Sequence, residues 1–121
     1  MSTIYLAYSI STHARKTLCD LDWTTQCPAI LVSYFYYNTF EKDKDKIRPK
    51  STMLDSGAFS AYNSNKEINI EKLIEETKND YWKEAVALDV IGNPQKSLEN
   101  ALKMKAAGSK AFPVFHIGEP W

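Results

Sequence analysis

Apolar residues are dense and short-ranged at several points along the chain. "TIYLAYS" (3–9) and "AILVSYFYY" (29–37) are rich in branched and aromatic residues and predict two buried strands. Between them, "THARKTLCDLDWTTQ" (12–26) holds a short helix with Leu18 and Leu21 facing inward. "NTFEKDKDKIRPKS" (38–51) alternates acids and bases with no apolar face, the pattern of a solvated loop. "TMLD" (52–55) is a third strand. After a Ser-Gly turn, "NIEKLIEETKNDY" (69–81) sets Ile70, Leu73, Ile74, Thr77 and Tyr81 at helical spacing, with Asn69 as N-cap. "EAVALDVIG" reads as a strand ending at Asp89. "NPQKSLENALKMKAAG" (93–108) reads as a helix with Asn93 as N-cap, Pro94 at its first position and Gly108 as its stop. Its apolar side is formed by Leu98, Ala101, Leu102 and the stem of Lys105. "AFPVFHIG" is a last strand, ending at His116.

The second half thus alternates strand and helix, which favours right-handed crossovers between parallel strands. Two architectures share that pattern, an open doubly wound sheet and a (β/α)8 TIM barrel. No GxGxxG or P-loop follows any strand, and this favours the barrel. Three strands end in reactive polar residues, Asp55, Asp89 and His116, spaced by 34 and 27 positions. Parallel strands place their C-terminal ends at one rim, where both folds bind ligands. A complete barrel needs about 200 residues or more, against 121 here. The expectation is therefore a single partial barrel domain over 1–121, either the N-terminal part of a larger barrel or a half-barrel closed by association as a homodimer.

Composition narrows the picture. With 44% hydrophobic residues the chain can build one modest core. Lys+Arg and Asp+Glu are 15 each, so any contact with nucleic acid must be local rather than driven by overall charge. Cys19 and Cys27 read as reduced thiols of a cytoplasmic protein. No apolar run approaches the ~20 residues that cross a bilayer, so no membrane association is expected.

At the rim, Asp55 lies where strand gives way to turn. Ser56 can cap, and Gly57 admits unusual backbone angles and close approach of a ligand. Phe59 follows. A carboxylate beside an aromatic ring suits a planar, nitrogen-rich ligand that stacks on Phe59 while Asp55 accepts its N–H groups. Partial burial would raise the Asp55 pKa and let it exchange protons. The structural alternative is an Asx or Ser turn that starts a helix. Asp89 is a second rim acid or a turn residue, and His116 a general base or a packing residue. Glu119 reads as an acid leading into a helix. Asp55, Asp89 and His116 also have the chemistry of a two-carboxylate, one-histidine metal site, the basis of a rival reading as a metal-dependent hydrolase. No nucleophile elbow is present. Lys42, Lys44, Lys46, Arg48 and Lys50 occupy alternate positions and in an extended segment would share one side, where they could touch phosphates.

Three ordered motifs carry a family likeness. "LDSGAFSAY" resembles the Asp-Ser-Gly-Gly-aromatic motif of the tRNA-guanine transglycosylases (queuine tRNA-ribosyltransferases), and "VALDVIGNP" falls where that family has a second strand-end aspartate. With "FPVFHIGEP", the order and spacing are most similar to short phage and bacterial relatives associated with inserting 7-deazaguanine into DNA. The likeness runs from about Val32 to the end. It implies a (β/α)8 pentosyltransferase without a cofactor that exchanges guanine for a 7-deazaguanine in DNA or tRNA. On that likeness Asp55 is the catalytic acid at the base, Phe59 its stacking ring and Asp89 a base-recognising acid. Ser56, Gly57 and His116 would shape the same pocket. Ala58 replaces the second glycine of the motif, and Ser60 stands where the tRNA enzymes often have glutamine. The family's nucleophilic aspartate and zinc site belong to its C-terminal half and have no counterpart here, so this chain is expected to supply base recognition, be inactive alone, and leave a non-catalytic base-binding half-barrel as a further alternative.

Overall fold

Branched residues at alternate positions let a strand bury one face while the other meets something different. In the computed structural model, which describes residues 5–23, 25 and 28–113, four short strands form, and the second and third do this; the first, expected to be buried, leaves Leu6 and Ala7 exposed. The strands are β1 (Tyr5–Ala7), β2 (Ala29–Ser33), β3 (Thr52–Asp55) and β4 (Glu84–Ala85). All pair in parallel in the order β1-β2-β3-β4. The protein is therefore α/β with a parallel four-stranded sheet, and its strand order follows the chain without the reversal that marks a doubly wound sheet. A parallel bridge between Val86 and Phe112 brings the chain beyond the last helix to the β4 side.

Ile30, Val32, Leu54 and Ala85 share one sheet face through the observed register, and all are buried. They form one cluster with Phe40, Leu73, Ile74, Trp82 and Met104, contributed by the connections. Leu31, Ser33, Met53 and Asp55 alternate onto the other face and are only partly buried.

The helices are α1 (Thr12–Cys19), α2 (Tyr37–Asp43), α3 (Ala58–Asn63), α4 (Ile70–Thr77) and α5 (Pro94–Ala106). The expected caps of the last two are present: Asn69 accepts from the Lys72 N–H at 3.1 Å, and Asn93 from the Lys96 N–H at 3.0 Å. Replacing Asn69 with alanine is expected to cost about 1 kcal/mol, a drop of about 4 °C in melting temperature followed by circular dichroism. An unchanged melt would mean that α4 is held by packing alone.

Several expectations need correction. The second strand stops at Ser33, whose hydroxyl accepts from the Phe35 N–H at 3.3 Å and turns the chain into a 3-10 turn, Tyr34–Tyr36. Residues 38–51 are not a solvated loop: α2 and a 3-10 turn at Lys44–Lys46 fill most of it, with Phe40, Asp43 and Ile47 buried. Because Lys42, Lys44 and Lys46 lie in helical backbone, the five cations do not form one extended row. Strand β4 ends at Ala85, short of Asp89. Leu98 and Leu102 do not face the core but are 39% and 58% exposed, while Ser97, Asn100 and Met104 make the buried side of α5. Leu18 does pack against the core. Cys19 is a free thiol. Cys27, His116 and Glu119 lie outside the described residues.

Candidate functional site

The end of β3 is built by two successive side-chain turns. Asp55 Oδ2 accepts from the Gly57 N–H at 3.0 Å, and the buried Ser56 hydroxyl accepts from the Ala58 N–H at 3.3 Å. Both satisfy donors that the start of α3 would otherwise leave unpaired. Gly57 sits between them at φ 80°, against Phe35 and Ser33 from the end of β2. The turn expected of Asp55 and Ser56 is thus present, and it fixes where the Asp55 carboxyl stands.

Two influences push that carboxyl above its ordinary range: burial first, and the negative charge of Asp89. The Gly57 and Ser56 N–H groups pull the other way. Asp89 lies within electrostatic reach of Asp55, although β4 stops short of Asp89. What carries Asp89 there is α5. The buried Ser97 hydroxyl accepts from the Val90 N–H at 2.7 Å and lies 3.0 Å from the Asn93 carbonyl, and the Leu88 N–H approaches the Met104 sulfur at 3.3 Å. Asp89 is therefore held from both sides in sequence by one helix.

Phe59, on the first turn of α3, is 67% exposed, and Tyr62, one turn on, is 62% exposed. A ring left in solvent beside a half-buried acid can stack on a planar ligand. Ser97, Met104, Ser33 and Phe35 are supporting residues that sequence reasoning missed. A serine inside a helical pattern directly after the Asp89 turn was the available signal for Ser97.

No family model, curated protein or solved structure matches this chain.

Among the described residues no group of three His, Cys, Asp or Glu side chains could hold a metal ion. No helix among them is long and apolar enough to cross a membrane. The arrangement offers a carboxyl whose pKa burial raises, a second acid within electrostatic reach and an exposed ring on the following helix.

Proposed function

We propose that this rim binds a purine base and that the chain forms part of the wall of a (β/α)8 barrel of the guanine-transglycosylase kind, exchanging guanine for a 7-deazaguanine in DNA or tRNA. The convergence of Asp55 and Asp89 carries the proposal. Two acids on separate strand connections, one held protonated more readily by burial, can accept from the ring N–H and the exocyclic amino group of guanine. Phe59 covers the base plane. In support of the barrel, the strands follow chain order, helices and connections bury one face, and Phe112 continues the series beyond β4. The three sequence motifs supply the reaction class. Asp55 would hold or release the proton that base exchange requires, and Asp89 would fix the base edge.

Equilibrium dialysis with labelled guanine, followed by exchange of labelled guanine on DNA and on tRNA, tests this. Asp55→Asn is expected to weaken guanine binding about tenfold, the scale of one hydrogen bond to a charged group. The same change should stabilise the fold at neutral pH. Because the folded carboxyl binds its proton more tightly than the unfolded one, wild-type stability falls as pH rises through the window above the ordinary value of 3.8. Asn keeps an acceptor for Gly57 and removes that cost, so its advantage should vanish below the ordinary carboxylate range. Absence of saturable guanine binding, or equal binding by Asp55→Asn, would sink the assignment.

A further inference from the structure

The opposite pole of the sheet carries a second concave site. Thr52 opens β3 and Lys83 immediately precedes β4, so both lie at N-terminal strand ends, about 10 Å along β3 from Asp55. Thr52 ties this pole together. Its hydroxyl donates to the Tyr81 carbonyl and accepts from the Lys83 N–H at 3.2 Å. Beside it is a cavity of about 460 Å³ whose lining includes Lys44, Arg48, Lys50, Lys83 and Tyr81, with Asp45 its single acid.

In this chain cations and acids balance, so four cations against one acid around a single concavity is a local concentration of positive charge. The Arg48 Nη1 donates to the carbonyls of Asp45 and Ile47, at 2.8 Å each, which fixes the guanidinium at the wall. Lys44 Nζ stands 4.3 Å from the centre of the Tyr81 ring. Tyr81 also lines the cavity, with its hydroxyl buried away from solvent.

We propose that this cavity binds a phosphate group, with Lys44, Arg48, Lys50 and Lys83 supplying charge. A tetrahedral anion has enough acceptor oxygens to engage several of these groups at once, which a single-point anion does not. Free orthophosphate and the phosphodiester backbone of a nucleic acid present the same chemistry. The proposal does not rest on the reading of Asp55 and Asp89.

Isothermal titration of the chain with sodium phosphate at fixed ionic strength and near-neutral pH provides the test, with a parallel titration of labelled single-stranded DNA. Saturable phosphate binding is expected. Lys50→Gln and Lys83→Gln, both at exposed positions, should each weaken it about fivefold, the upper scale of one solvent-exposed ion pair. Lys105→Gln, on α5 and outside the cavity lining, should leave it unchanged. Displacement of bound DNA by phosphate would assign the site to a nucleic-acid backbone, and phosphate binding without DNA binding would assign it to a free phosphate. Either result upholds the site. Absence of saturable phosphate binding, or wild-type affinity in Lys83→Gln, overturns it.

Discussion

Replacing Asp43 with alanine is expected to destabilise the fold by about 3 kcal/mol, lowering the melting temperature by about 12 °C. Asp43 ends α2 with its side chain 3% exposed, and it joins three elements that have no other polar tie of this kind among the described contacts. Arg15 of α1 donates from Nε to Oδ2 at 2.7 Å and from Nη2 to Oδ1 at 3.0 Å. The Tyr8 hydroxyl, just beyond β1, donates to Oδ2 at 2.6 Å. Alanine would strand the buried Tyr8 hydroxyl and remove the Arg15 guanidinium's partner, and the cost of a buried group left unpaired exceeds the net worth of the bond itself. The packing side is also engaged: Tyr8 meets Phe40 edge-on at 5.2 Å, and Phe40 lies one helical turn before Asp43.

The pH dependence of this cluster follows from its signs. Hydrogen bonding to Arg15 and then to Tyr8 lowers the Asp43 pKa below its ordinary value despite burial. A depressed folded value means that the stabilisation is complete above the ordinary carboxylate range and is lost as pH falls through the folded value. Melts of wild type and Asp43→Ala should therefore converge in acid and separate most at neutral pH. Tyr8→Phe, which removes one donor and keeps the ring, should cost only about 1 kcal/mol. A melting temperature for Asp43→Ala within about 3 °C of wild type would contradict the assignment of this carboxylate as the tie between α1, α2 and β1.

Asp43 also shows why part of the fold was illegible in sequence. Within "EKDKDK" it looks like one of several interchangeable surface acids, and its partners are 28 and 35 residues away. Local alternation of charge carries no record of such pairing, so the pattern predicts a solvated loop where α2 forms. The same limit applies to α5. Its two leucines pointed to the wrong face because the buried side is made by Ser97, Asn100 and Met104, whose burial depends on hydrogen bonds to the turn after Asp89 and on Met104 filling the core. By contrast, β3, the Asn69 and Asn93 caps and the Pro94 start were legible because each is set by neighbours within four residues. The candidate site divides along the same line. The Asp55 and Ser56 turn is local and was readable, whereas the support of Gly57 by Ser33 and Phe35 comes from another strand.

That cross-strand support makes Gly57→Ala the substitution with the largest expected effect at the site. At φ 80° an alanine occupies the left-handed region at a cost of about 1 to 2 kcal/mol. Its Cβ would also stand 2.7 Å from the Phe35 backbone nitrogen, 2.9 Å from the Phe35 Cβ and 3.1 Å from the Ser33 Oγ. A rotating side chain could give way, but a backbone nitrogen in a 3-10 turn moves only with its strand. Strain and overpacking together are expected to cost about 3 kcal/mol, a fall of about 12 °C in melting temperature. The relief available is outward movement of the Ser56–Ala58 turn, which breaks the bond from the Gly57 N–H to Asp55 and carries the carboxyl away from Asp89. Guanine binding measured well below the melting temperature should then be lost along with stability. Phe59→Ala separates the two effects: its ring is 67% exposed, so the fold should melt near the wild-type temperature while binding weakens through loss of stacking. Wild-type binding and stability in Gly57→Ala would show that the turn does not hold Asp55 in place, and binding unchanged in Phe59→Ala would remove the ring from the base pocket.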